Sequence, residues 1–89
     1  MGSNASLYPC PCCGNLTFDV APPGTFEICP VCYWEDDEFQ YRNPQAAGGA
    51  NKVSLEVGRR NYRDFGACSE AFVSQVRAPR SEELPKGGA

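Results

Sequence analysis

Cys10-Pro11-Cys12-Cys13-Gly14 and Cys29-Pro30-Val31-Cys32-Tyr33 are two copies of one pattern, Cys-Pro-x-Cys, with fifteen residues between them. A Cys-x-x-Cys turn brings two sulphurs to one side of a short loop. A tetrahedral ion needs two such pairs, each sulphur about 2.3 Å from the metal. Proline fixes its own backbone angle and has no N–H, so it stiffens the turn and leaves the later amides to hydrogen-bond a thiolate. Gly14 relieves steric cost where the first turn leads back into extended chain. The spacing predicts that Cys10, Cys13, Cys29 and Cys32 hold one ion. Zinc, one per chain, is the expected metal, with iron in a rubredoxin-like tetrathiolate site as the alternative.

On either side of that pattern the chain supplies the elements that bring the two turns together. Leu16-Thr-Phe-Asp-Val20 and Thr25-Phe-Glu-Ile28 both alternate apolar and polar side chains, and Pro22, Pro23 and Gly24 lie between them. They read as the two strands of a β-hairpin that returns the second cysteine pair to the first. After Cys32, the run from Tyr33 to Tyr41 reads as irregular chain with room for one helical turn. A Gly- and Ala-rich connector then starts at Asn43 and Pro44. Ser54 precedes Leu55, Gly58, Tyr62 and Phe65, whose spacing places them on one helical face. Ser54 suits the N-cap, Glu56 the first turn, Arg59, Arg60 and Arg63 the later turns, and Gly66 the end. A second short helix is predicted from Ser69, carrying Phe72, Val73 and Val76 and stopping at Pro79.

The predicted fold class is therefore small α+β. It is a zinc ribbon, meaning a β-hairpin with two Cys-Pro-x-Cys knuckles, covered by one or two short C-terminal helices over residues 7–78. Residues 1–6 read as a disordered leader or cloning scar, and residues 79–89 as a flexible tail.

The chain has 89 residues, six cysteines, no histidine and a formal net charge of -3. A core this small generally needs a staple in addition to packing. There is no N-terminal apolar run of signal-peptide length and no apolar stretch of about 18 residues or more that could span a bilayer. A cytoplasmic, reducing setting without membrane attachment is expected, where thiols persist and bind metal rather than pair as disulfides. The acidic balance disfavours nucleic acid as a partner, since Arg59, Arg60 and Arg63 form the only basic cluster. Four protein ligands would close the metal's coordination sphere, so no enzyme is expected here. Cys68 as a nucleophile, with Asp64 or Glu70 near in sequence, would lack the usual histidine base.

Two thiols stand outside the Cys-x-x-Cys pairs. Cys12 is expected to be a non-ligand inside the first turn, with a reserve ligand, a redox partner of Cys68 or part of a second metal site as the functional reading. Cys68 reads either as a small buried hydrophobe or as a reactive thiol near the amide end of the second helix. Trp34, Glu35, Asp36 and Asp37 combine an aromatic with acids on a segment of little regular structure. They are the candidate surface for binding another protein, the alternative being a solvated acidic run whose aromatics cover the turns. Nothing in the sequence bears on the oligomeric state.

Several ordered motifs carry a resemblance: Tyr8-Pro-Cys-Pro-Cys-Cys-Gly14, Glu27-Ile-Cys-Pro-Val-Cys-Tyr-Trp-Glu-Asp-Asp37, Gly48-Gly-Ala-Asn51, Val53-Ser-Leu55 and Asn61-Tyr-Arg-Asp-Phe-Gly-Ala-Cys68. Over about Tyr8 to Glu70 the chain resembles the bacterial cysteine-rich CPCC domain family. The resemblance implies a zinc-binding domain and carries no activity with it. It also implies that Cys12, the acidic aromatic stretch and Cys68 belong to the family pattern.

Overall fold

The structure, a computed structural model, describes residues 7–85. The expected leader 1–6 and the last four residues of the expected tail lie outside the described residues. In order, the elements are β1 (Tyr8–Pro9), β2 (Leu16–Phe18), α1 (Glu38–Arg42), α2 (Leu55–Phe65) and two 3₁₀ turns, Glu70–Gln75 and Ser81–Glu83.

A two-stranded antiparallel hairpin is present, but its strands are not the pair expected. β2 pairs backwards with β1 across the first cysteine turn, Tyr8 opposite Phe18 and Pro9 opposite Leu16. The predicted partner, Thr25–Ile28, pairs forwards across the second cysteine turn instead. There Ile28 bridges Glu35, the Phe26 N–H donates to the Asp36 carbonyl at 3.0 Å, and the Asp36 N–H donates to the Glu27 carbonyl at 2.9 Å. The reason is loop closure. Each Cys-Pro-x-Cys segment is itself a tight reversal, so its flanks meet at the least entropic cost. Apolar alternation marks a strand without naming its partner.

Both helices start where their caps dictate. The Asp37 side chain accepts from the Gln40 N–H at 3.1 Å and opens α1. The Ser54 hydroxyl accepts from the Val57 N–H at 3.1 Å and opens α2. Gly66 ends α2 in the left-handed region (φ 84°), its N–H bonded to the Tyr62 carbonyl. The inward face of α2 is narrower than expected: Leu55 and Gly58 are buried and Tyr62 half-buried, whereas Phe65 is exposed. The segment after Ser69 winds as a 3₁₀ turn rather than an α-helix, and Ser69 makes no side-chain cap bond. Phe72 lies on the Tyr33 ring, centroids 4.6 Å apart.

The core gathers Phe18, Val31, Trp34 and Leu55 around the buried cysteines. Beside it, α1 turns Gln40 inward to full burial. The loop from Ala46 to Val53 closes over this side chain so tightly that a Cβ on Gly49 would lie 2.7 Å from Asp37 Oδ2 and 2.9 Å from Gln40 Cδ. Gly49→Ala is thus expected to lift the loop and destabilise the domain by about 1–3 kcal/mol, the usual range for overpacking. Urea denaturation would show a lower midpoint with an unchanged slope, and an unchanged midpoint would contradict the close approach.

The segment expected to be a free tail is folded as far as Glu83. The Arg77 N–H donates to the Pro30 carbonyl at 3.3 Å, and the Arg77 guanidinium grips both oxygens of the buried Glu83 carboxylate at 2.9 Å each. The Arg80 N–H adds a third bond at 2.9 Å, and the Ser81–Glu83 turn packs on β2. Pro79 ends a helix but does not end the fold. The Arg77 guanidinium, with the Arg80 amide, holds the Glu83 carboxyl below its ordinary value against the opposing effect of burial. A depressed carboxyl pKa contributes stability that is present above the unfolded pKa, about 4.3, and is lost as the pH falls through the folded value. Glu83→Gln should therefore be less stable than the wild type near neutrality, and the gap should narrow below about pH 4.5 in paired urea titrations. A gap that stayed constant down to about pH 4 would contradict this.

Candidate metal centre

The two cysteine turns have the same internal bonding. In the first, the Gly14 N–H donates to the Cys10 carbonyl at 2.8 Å and the Cys10 N–H to the Asn15 carbonyl at 2.9 Å. In the second, the Tyr33 N–H donates to the Cys29 carbonyl at 2.8 Å and the Cys29 N–H to the Trp34 carbonyl at 2.9 Å. Each turn also aims the amide after its proline at the first sulphur: Cys12 N–H to Cys10 Sγ and Val31 N–H to Cys29 Sγ, both at 3.4 Å. Proline's missing N–H leaves these amides to serve the thiolate. At the turn exit the backbone must enter the left-handed region, φ 81° at Gly14 and 71° at Tyr33. Glycine does so freely, while a residue with a Cβ carries a strain of about 1–2 kcal/mol. Tyr33 is held there with its ring against Phe72.

Together the turns bring the four sulphurs of Cys10, Cys13, Cys29 and Cys32 within 4.8 Å of one another. Cys10 Sγ lies 3.6 Å from Cys32 Sγ, and Cys13 Sγ 3.8 Å from Cys29 Sγ. A tetrahedron with metal–sulphur bonds of about 2.3 Å has edges of about 3.8 Å, so the group fits one ion with little adjustment. Cys10, Cys29 and Cys32 are buried and Cys13 is partly exposed. The chemistry suits a cation, because four thiols packed this closely cannot all ionise without one. Cys10 is pushed above the ordinary thiol value, first by its hydrogen bond with Cys13, and Cys32 first by its bond with Cys10; burial adds to both. Cys13 and Cys29 are pulled down, each first by the hydrogen bond from Cys10. Cys29 also has the Thr17 hydroxyl 3.2 Å from its sulphur. A divalent ion would replace the shared protons, which ties its uptake to pH.

Cys12 and Cys68 lie outside the set of four, although the Cys12 side chain is close enough to Cys32 to help push that thiol up. Cys12 Sγ faces α2, 3.3 Å from where a Cβ on Gly58 would be. Cys68 is buried, its N–H bonded to the Cys32 carbonyl at 2.8 Å and its carbonyl accepting from Asn61 Nδ2 at 2.9 Å. Burial pushes its thiol up to about 12, so it is protonated at neutral pH, contrary to what a reactive thiol requires.

The acidic aromatic stretch does not form the outward surface expected of it. Trp34 and Asp36 are fully buried. The segment is the return strand of the second cysteine hairpin, and period-two alternation turns these two residues inward together. The Asp36 side chain has its Oδ2 bonded to the Thr25 N–H at 2.9 Å and the Thr25 hydroxyl at 2.8 Å, while its buried Oδ1 has no partner among the described residues. Asp37 is occupied at the N-cap of α1 and accepts from the Ala50 N–H at 2.8 Å, which holds its carboxyl below the ordinary value. Half-buried Glu35 has its N–H and carbonyl both bonded to the Asn51 carboxamide, at 2.9 and 2.8 Å. Of the candidate residues, then, the four cysteines of the two pairs are brought together, and the Trp34 to Asp37 run is turned into the core and the loop contacts.

Sequence reasoning missed Thr17, Gln40 and Asn51. Thr17 is the polar position of a strand pattern, Gln40 lies between Phe39 and Tyr41 and Asn51 between Ala50 and Lys52, with no periodicity to mark either amide. The available signal was Gly48-Gly49 just before Asn51, a pair that permits close backbone approach.

A family model described as Cysteine-rich CPCC matches residues 8–83, a span that takes in both cysteine turns, both helices and the Arg77–Glu83 clasp. No curated protein matches the chain. Among the described residues, no helix is long and apolar enough to cross a membrane.

Proposed function

The chain belongs to the cysteine-rich CPCC family, and from that premise we propose that Cys10, Cys13, Cys29 and Cys32 hold one structural zinc ion in a non-catalytic, protein-binding domain. The observation that carries this reading is the sulphur group itself, four thiols within 4.8 Å of one another on two identically bonded turns. On this reading the turns are zinc knuckles and the domain is a zinc ribbon. Zinc suits such a set because it has no geometric preference of its own and accepts four thiolates at tetrahedral spacing. Four protein ligands leave no position for substrate or activated water, which supports a structural role. The setting would be a reducing cytoplasm, where the thiols stay available to metal.

The burial of Trp34 and Asp36 favours a partner surface on other residues. Phe26, 63% exposed, Phe39, 62% exposed, and Ile28 are the apolar side chains that favour it. Phe26 also sits at φ 61°, a strained conformation for a residue with a Cβ, and strain of this kind often accompanies function. Nucleic acid is a poor candidate, because the acidic chain offers few cations and Arg59 already donates its Nε–H to the Pro11 carbonyl at 2.9 Å. Elemental analysis of the untreated protein tests the metal. One zinc per chain in a colourless sample is the expected result. One iron, with a colour that bleaches on reduction, would establish the rubredoxin-like alternative, and the absence of stoichiometric metal would overturn both.

A further inference from the structure

We infer that Cys13 is the site at which the metal-loaded centre reacts with soft carbon electrophiles such as α,β-unsaturated carbonyls, and that this reaction opens the metal site. The inference rests on the zinc reading above and adds an asymmetry that the four-cysteine pattern does not contain.

A metal-bound thiolate keeps a nucleophilic lone pair, which hydrogen-bond donors weaken and burial shields. Cys29 Sγ has both the Val31 N–H and the Thr17 hydroxyl against it and is fully buried. Cys10 Sγ has the Cys12 N–H and is 2% exposed. Cys32 is fully buried. Cys13 differs in exposure. It is the one partly exposed cysteine of the six, and, as with Cys32, among the described residues no N–H or O–H donor lies within bonding distance of its sulphur. Cys12 and Cys68, outside the ligand set, are both buried. An electrophile arriving from solvent therefore meets Cys13 first.

The addition needs no oxidant and has no leaving group. The Cys13 sulphur bonds to the β-carbon of the alkene, the carbon–carbon π bond opens, and the α-carbon takes a proton from water, which leaves as hydroxide into the solvent. The product is a neutral thioether, a much weaker ligand than thiolate, so only Cys10, Cys29 and Cys32 would still offer thiolates to an ion. Loss of the metal to a competing chelator should follow.

The test uses the full chain with its metal content measured beforehand, limiting N-ethylmaleimide as the probe, peptide mass mapping of the label, and a chromogenic chelator to follow metal release. Cys13 should carry roughly tenfold more label than any other cysteine, as expected for the one accessible thiolate, and metal release should track that label. Cys12→Ala, which removes the neighbouring thiol without removing a ligand, should leave the rate and position of labelling unchanged. First labelling at another cysteine of a zinc-loaded chain, an even spread, or loss of labelling in Cys12→Ala would overturn the assignment of Cys13 alone. A chain that carries no metal beforehand would overturn the zinc reading and this inference with it.

Discussion

Cys29→Ser is expected to leave the chain without a stable fold at room temperature. The Cys29 side chain is one of the four clustered sulphurs, accepts from the Val31 amide and shares a hydrogen bond with the Thr17 hydroxyl. Its backbone N–H and carbonyl also close the second turn onto Trp34 and Tyr33. A serine oxygen keeps none of the sulphur's affinity for a soft divalent ion. Structural zinc in a small domain supplies on the order of 10 kcal/mol of apparent free energy, which is comparable with the whole stability of an ordinary domain, about 5–15 kcal/mol. Removing it should therefore unfold the molecule rather than weaken it. Cys12→Ser is the matched control. It places a hydroxyl in a buried site outside the cluster, for which about 1–3 kcal/mol is the usual penalty. Trp34 is fully buried and reports on both, since its fluorescence should shift to that of a solvent-exposed indole in Cys29→Ser and stay near the wild type in Cys12→Ser. A Cys29→Ser protein with a near-native denaturation midpoint would show that the cluster does not hold the fold.

Gln40→Ala should have the next largest effect, although Gln40 touches no cysteine. Its Nε2 shares two N–H groups among the carbonyls of Ala46, Asn51 and Val53, at 3.0, 3.1 and 3.1 Å. Its Oε1 accepts from the backbone N–H and the side-chain amide of Asn51 at 3.1 and 3.0 Å. One buried carboxamide thus supplies partners to a whole turn of loop backbone. Each buried polar group left unpaired costs about 1–3 kcal/mol, and a cavity penalty adds to that. With water able to enter and satisfy some of the groups, a net loss of about 3–5 kcal/mol is the expected outcome. Asn51→Ala should cost a similar amount, since Asn51 ties the same loop to Glu35. The double variant should be much less destabilised than the sum of the singles, because the two amides share their bonds. Strict additivity in urea titrations would contradict a shared network.

The cysteine pairs were the most legible part of the sequence, because a chemical requirement fixes their spacing more tightly than any propensity does. Two Cys-x-x-Cys turns with proline after the first cysteine imply where the sulphurs go and which amides face them, and Cys12 N–H and Val31 N–H lie where that argument put them. The α2 helix was legible for a similar reason: Ser54 and Gly66 are local signals that tertiary context had no reason to override. Strand pairing was not legible, since Leu16–Val20 and Thr25–Ile28 carry the same alternation whichever flank they meet. Burial of Trp34 agrees with the alternative reading, in which the aromatics cover the turns; burial of Asp36 was not legible, because a run of acids looks solvated by composition and its partner Thr25 is eleven residues away. The Arg77–Glu83 clasp was missed because proline at position 79 marks the end of a helix and says nothing about whether the chain then returns to the core.

The proposed centre is one divalent ion bound by the sulphurs of Cys10, Cys13, Cys29 and Cys32. X-ray absorption at the zinc edge of the purified full chain measures that directly. Four sulphur scatterers at about 2.3 Å, with no nitrogen or oxygen shell, is the expected spectrum. A shell with fewer than four sulphurs, or with light-atom ligands at about 2.0 Å in their place, would contradict it.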